Sequence, residues 1–219
     1  MACGLEGFYT SYSMNNWNSQ LNEDVVNGFG EYAYSGSPVS SGLGLTLDFR
    51  YFLNDDWSLG GFLDYMSAGG TFKSVWVDAS GEYDETGSYS FPAIFVGPQT
   101  TYTFYRPLPN LKLAALGGIG YLTLLGANEN YTYAQATSSG TSAGSATATL
   151  SGGGFGVKVA VEADFALTSS FSLTSELGYR MASIGTVTSS VGGTLQRAGS
   201  NVALDYSGFI LDIGLAYWR

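Results

Sequence analysis

The sequence predicts an all-β chain: a membrane-spanning, antiparallel up-and-down β-barrel of eight strands. Three observations predict it. The first is inverted alternation, clearest in Gly42–Leu53. One face carries Leu43, Leu45, Leu47, Phe49, Tyr51 and Leu53; the other carries Gly42, Gly44, Thr46, Asp48, Arg50 and Phe52. A soluble sandwich would turn the large apolar face inward and leave the glycines as a poorly solvating outer face. Inversion puts the apolar face in lipid and the small, charge-bearing face in a narrow interior. The second observation is composition. Charged residues make up 12%, about half the usual share, while aromatics reach 15% and glycines number 31. The third is that long polar connections alternate with turns of a few residues.

Composition also excludes classes. No window offers the run of 18 apolar residues that a membrane helix needs. A mean hydropathy of +0.08 agrees with alternating strands. Strands cross a membrane only as a closed barrel, because every backbone polar group must be paired. The 219 residues read as a single domain over 1–219, with a net charge of −10. Such an acidic chain has no basic footprint for nucleic acid. Cys3 is the single cysteine, so cysteine usage does not indicate the compartment. No signal peptide precedes Leu5, and the chain is expected to be a mature form with an added Met. Ala2–Cys3–Gly4 also looks like the end of a lipoprotein processing site; Cys3 is therefore native, lipidated or an addition.

The elements follow in order. Leu5–Met14 is a first strand in which Phe8/Tyr12 and Tyr9 compete for the inner face. Asn15–Val39 is polar and reads as a loop. Gly42–Leu53 is strand two, Asn54–Asp56 a tight turn, and Trp57–Met66 strand three, with Ser58, Gly60, Phe62 and Asp64 inward. A second long loop covers 67–88, in which Phe72, Val75 and Val77 extend a hairpin. Strand four lies within Tyr89–Tyr105. Pro92 and Pro98 there call for a bulge or a place near the loop, since a closed barrel has no edge to hide a missing donor. Arg106–Asn110 turns. Strand five, Leu111–Leu125, sets Lys112, Gly118 and Gly120 against Leu111, Leu113, Ile119 and Tyr121. Gly126–Ala148 is low in complexity and reads as a loop or hairpin tip. Strand six, Gly154–Leu167, alternates Phe155, Val157, Val159, Val161, Phe165 and Leu167 with Gly156, Lys158, Ala160, Glu162 and Asp164. After the turn Thr168–Ser170, strand seven (Phe171–Met181) carries Glu176 and Arg180 inward. A fourth loop spans 183–201, and Ala203–Trp218 closes the chain. Four long external loops and three short periplasmic turns result.

On this pattern the chain resembles the small eight-stranded outer-membrane barrels of the OmpA transmembrane domain and OmpX type, over nearly its whole length. The final strand looks like that family's assembly signal through Asp212, Gly214 and Tyr217. The family usually ends on an aromatic, whereas Arg219 follows Trp218 here. The resemblance implies a bacterial outer-membrane location, contact with lipid and lipopolysaccharide, and handling by the barrel-assembly machinery.

The inward charges collected from the strands are Asp48, Arg50, Asp64, Lys112, Lys158, Glu162, Glu176, Arg180 and Asp212. Five acids against four bases nearly cancel, which would leave the chain's negative excess in loops and turns. An eight-stranded bore is only wide enough for side chains to fill, and a charge there is costly unless paired. A plug of salt bridges is the structural expectation, and the resemblance implies the same. The functional alternative is a gated polar path in which Glu176 and Arg180 exchange partners.

With no histidine, Ser-His-Asp and other His-activated nucleophiles are excluded. With Cys3 alone, zinc and haem lack a ligand set. Glu82, Asp84 and Glu85 read as a solvated run rather than a calcium loop. No catalytic, cofactor or metal site is expected. Trp57, Tyr65, Tyr51, Tyr179 and Tyr217 read as interfacial girdles. Tyr32, Tyr34, Tyr131 and Tyr133 either anchor a surface or host partner or cover hairpin extensions. The expected function is a non-enzymatic barrel with structural, adhesion or receptor roles. The alternative is a narrow pore or a path for small hydrophobic molecules, and the alternative fold is a soluble lipocalin-like barrel.

Overall fold

A computed structural model describes residues 1–18, 23–27, 30–78, 81–137, 140–197 and 200–218; the side chains of 16, 23–27, 30–34, 78, 196, 197 and 200 lie outside that description. Eight long strands form the barrel: β1 (Ala2–Ser11), β2 (Ser41–Phe52), β3 (Trp57–Met66), β4 (Ala93–Leu108), β5 (Leu111–Leu124), β6 (Gly153–Ala166), β7 (Phe171–Ile184) and β8 (Gly208–Trp218). Each pairs antiparallel with the next, and β8 returns to β1 with Leu5 opposite Leu215, so the sheet closes on itself. Closure removes every edge, as a lipid-embedded sheet requires.

The outer wall sorts by depth. Towards the three short turns, here the lower end, Tyr51, Trp57, Tyr102, Phe171 and Tyr217 face out, with Trp57–Tyr102 and Phe171–Tyr217 ring centroids 4.7 and 5.3 Å apart. Towards the long connections, the upper end, stand Tyr9, Tyr65, Tyr121, Phe155 and Phe209. Between the two rings lies an exposed band that includes Leu5, Leu47, Leu63, Val159, Val161, Leu177 and Ile213. An apolar band between two aromatic girdles is the outer surface of a barrel solvated by lipid. The soluble lipocalin-like alternative, with these faces turned inward, is thereby excluded.

Three details settle, correct or extend the sequence reading. The first strand ends at Ser11 rather than Met14; Phe8 on it and Tyr12 just beyond it face inward while Leu5 and Tyr9 face out, and a methyl at Gly44, opposite Phe8, would fall on its ring. Pro98 sits inside β4 without a bulge. The ladder to β5 simply omits Gly97 and Pro98 and keeps its register, Val96 opposite Tyr121 and Gln99 opposite Gly118; the register shifts instead fall lower, between Thr103 and Leu108. Finally, the long connections are paired. Gly69–Asp78 and Gly81–Ser90 form one arm, Ala127–Thr137 and Gly140–Ser151 another. Together with Glu23–Asn27, Gly30–Gly36, Thr188–Ser189 and Gly193–Thr194 they build a second, open eight-stranded sheet above the barrel. Ser, Thr, Ala and Gly pack flat with both faces near water, and the Thr and Tyr among them favour strand. Low complexity concealed a ladder. The one helix among the described residues is α1 (Asn15–Asn18).

Candidate functional site

The interior of the lower half is charged. Period-two alternation sends Asp48 and Arg50 of β2, Asp64 of β3, Lys158 and Glu162 of β6, Glu176 and Arg180 of β7 and Asp212 of β8 inward, all buried or nearly so. The register makes neighbours of like charges: Lys158 stands opposite Arg180, Glu162 opposite Glu176, and Glu176 opposite Asp212. Such pairs repel, so compensation comes from across the bore and from diagonal or same-strand neighbours. Arg50 reaches Glu162 on the far wall with Nη1–Oε1 at 2.5 Å, and its own neighbour Asp48 with Nε–Oδ2 at 2.5 Å. Lys158 Nζ lies 3.4 Å from Glu176 Oε1 and 3.9 Å from Asp64 Oδ1, and Arg180 Nη1 lies 4.0 Å from Asp64 Oδ2. Thr46 donates to Asp64 at 2.9 Å, and Gln99 donates to Asp48 at 3.4 Å.

Lys112 stands apart from this group. It sits at the lower mouth, where its ammonium lies over the Trp218 ring, 4.7 Å from the centroid. Trp218 also stacks on Phe52 at 5.0 Å and donates from Nε1 to Ser172 Oγ at 2.6 Å. This lid leaves a cavity of about 20 Å³ among Arg50, Glu162 and Asp164, room for about one water.

One interior acid, Glu6, escaped the sequence reading, and a second, Asp164, was placed on the inner face of strand six but left out of the charge count. Glu6 is buried on β1 and accepts from Thr174 Oγ1 at 2.8 Å; Asp164 is buried near the lower mouth. The interior therefore holds seven acids, not five, and the negative excess does not lie only in loops and turns. Alternation of Gly4, Glu6, Phe8 and Thr10 was the signal for Glu6, masked by Tyr9 and Tyr12 competing for the same face.

The upper half of the bore is filled differently. Its buried side chains include Met66, Phe91, Phe95, Leu122 and Ile184 from the wall and its extensions, and Met14, Trp17, Val39, Val187, Val202, Leu204 and Tyr206 from the connections. Trp17, carried on α1, meets the Tyr89 and Phe91 rings edge-on at 4.7 and 4.9 Å. The chain enters that turn with Met14 at φ +38°, uncommon outside glycine. Met14 N–H donates to the Asp205 carbonyl at 3.0 Å, and the Tyr206 hydroxyl donates to the Phe91 carbonyl at 2.7 Å. These contacts tie the first and last connections together as a stopper. Arg180 links stopper to charged layer: it donates to the Tyr206 carbonyl at 3.2 Å and to Thr10 Oγ1 at 3.1 Å. The sequence reading missed the stopper entirely.

Among solved structures, the chain is similar to a major outer membrane protein from Thermus thermophilus, at 14% identity over 99% of both chains with a TM-score of 0.42. Neisserial surface protein A is 13% identical over 99% of this chain and 96% of that one, with a TM-score of 0.41. The N-terminal β-barrel domain of Pseudomonas aeruginosa OprF is 12% identical over 99% and 96%, with a TM-score of 0.39. No protein-family model matches the sequence, and no curated protein matches it. The barrel of this chain is assigned from its own closed ladder.

Of the residues resembling an assembly signal, Asp212 faces the bore, Gly214 stands opposite Glu6, and Tyr217 joins the lower girdle. The acidic run Glu82–Glu85 lies in a strand, where Asp84 pairs with Lys73 at 3.3 Å, half exposed. Trp76 stacks on Tyr83 at 5.5 Å and is exposed, as is Tyr133. The side chains of Tyr32 and Tyr34 lie outside the described residues.

Proposed function

We propose that this chain is a non-enzymatic bacterial outer-membrane barrel that acts through its external sheet, with its bore closed. The observation that carries this reading is the double filling of the interior. Ion pairs link β2 and β3 to β6 and β7 in the lower half, and an apolar stopper with Trp17 and Tyr206 fully buried occupies the upper half. A filled bore conducts nothing at rest, so the exposed area left for function is the eight-stranded sheet. Its strands carry exposed Trp76, Val77 and Tyr133 among Ser, Thr and Asn, a mixture suited to adaptable contacts. The short-turn end then faces the periplasm, and Asp212, Gly214 and Tyr217 serve as the assembly signal. Without histidine, the chain lacks the usual base for hydrolytic chemistry. The test is cell adhesion. Bacteria displaying the full chain should bind matrix-coated surfaces, and bacteria displaying a chain with both arms shortened to turns should not. Equal binding by the two would sink the reading.

One feature favours the transport alternative. Where the ladder omits Gly97 and Pro98, the wall carries a lipid-facing apolar depression of about 620 Å³ lined by Val96, Ile119, Tyr121, Phe155 and Met181. It is backed by Phe62 and Phe95, both buried, with centroids 4.9 Å apart. Leakage of a small hydrophobic dye through a Phe62→Ala, Phe95→Ala variant but not the parent would mark this as a sealed lateral path.

A further inference from the structure

We propose that Glu6, Glu176 and Asp212 hold a calcium ion inside the barrel. These residues come from β1, β7 and β8 and meet within the charged layer, where one carboxylate oxygen from each lies within 4.8 Å of the other two. Two oxygens bound at about 2.4 Å to one calcium ion lie at most about 4.8 Å apart, so the spacing suits a shared ion.

Two further observations point to a cation rather than to acids that merely happen to cluster. Asp212 is fully buried, and neither of its carboxylate oxygens meets a hydrogen-bond donor. A buried, unpaired carboxylate is among the costliest groups a fold can hold. Around it the interior is short of positive charge. Glu6, Asp48, Asp64, Glu162, Asp164, Glu176 and Asp212 are buried, against Arg50, Lys158 and Arg180, with Lys112 out at the mouth. Arg50 is engaged by Asp48 and Glu162, and Arg180 leans towards Asp64 and the stopper. That leaves Lys158, 3.4 Å from Glu176, as the ammonium nearest three carboxylates. One positive charge against three leaves room for a divalent ion.

The donor set selects the ion. All three ligands are carboxylates and the chain has no histidine, so a hard, oxygen-seeking cation is called for. Magnesium keeps much of its water and demands near-octahedral geometry, whereas calcium accepts bidentate carboxylates in irregular arrangements. Three carboxylates bound through both oxygens would give the lower end of calcium's coordination range. Thr174 already orients Glu6 through its hydroxyl, the kind of supporting contact that fixes a ligand. Because lid and stopper shut the bore, the ion enters while the barrel forms.

The test refolds the full chain in detergent micelles with calcium chloride or with excess chelator. After desalting, metal content is measured by mass spectrometry, and the loss of the compact gel band is followed with temperature. About one calcium per chain is expected, with a midpoint roughly 5 °C or more above the chelator sample. Asp212→Asn should fold but retain no calcium, and its midpoint should be the same in both refolding conditions. Glu6→Gln gives the same readout should Asp212→Asn fail to fold. Glu82→Gln, in the external sheet, should retain the ion. Absence of calcium from the refolded parent overturns the site, as does equal retention by Asp212→Asn and Glu6→Gln.

Discussion

In the lower half of the bore, the strands fill the space with their own alternate side chains; in the upper half, the connections between strands fold in and fill it for them. The lower half is ionic and pins far walls together, Arg50 on β2 to Glu162 on β6. The upper half is apolar: Trp17 packs edge-on against Tyr89 and Phe91, which lead into β4, and Tyr206 meets the Tyr12 ring edge-on at 5.5 Å. The difference teaches that one narrow cylinder can be closed by two chemistries with different failure modes. A buried ionic layer is specific and fragile, because removing one partner strands the other. An apolar plug loses stability in proportion to what is cut away.

The comparison breaks most visibly at Arg50. Arg50→Met leaves Asp48 and Glu162 without their guanidinium, and unfolding in urea should show a loss of about 3–5 kcal/mol. Replacing the group as a whole, with Asp48→Leu and Glu162→Leu added to Arg50→Met, should recover most of that loss in the same assay. A triple variant as unstable as the single one would mean that the charges do more than compensate one another. In the stopper, Trp17→Ala should cost about 3 kcal/mol and raise hydrogen exchange at the upper strand ends, with the lower ladder staying protected. Smaller still, Tyr206→Phe removes only the bond to the Phe91 carbonyl and should cost about 1 kcal/mol by chemical denaturation. Trp76→Ser, on the exposed sheet, should change stability by less than about 0.5 kcal/mol while weakening any surface adhesion.

The two halves were unequally legible. Strands β2, β6 and β7 announced their inward faces because alternation acts at a distance of two residues and needs no knowledge of the fold. Asp48, Arg50, Lys158, Glu162, Glu176 and Arg180 could thus be placed inside from the sequence. Which of them meet could not: Glu176 and Arg180, four residues apart, share a strand face, yet their ion partners are Lys158 and Asp64. The stopper was illegible for another reason. Met14 and Tyr206 read as the ends of the first and last strands, whereas the strands stop at Ser11 and start at Gly208; Trp17 and Val202 lie in polar connections with no period, and only the closed cylinder beside all four makes their burial favourable. In the second sheet the hairpin of 69–90 was partly foreshadowed by Phe72, Val75 and Val77 and that of 127–151 was one of two readings, but their union into a sheet was not legible, because Ser, Thr, Ala and Gly carry little apolar contrast between its two faces.

Single-channel recording of the refolded, inserted protein in a planar bilayer tests the closed bore most directly. The two-part filling predicts a silent membrane across a wide range of salt, with insertion verified by the heat-modifiable gel band. Discrete, salt-dependent current steps from the parent chain would contradict it.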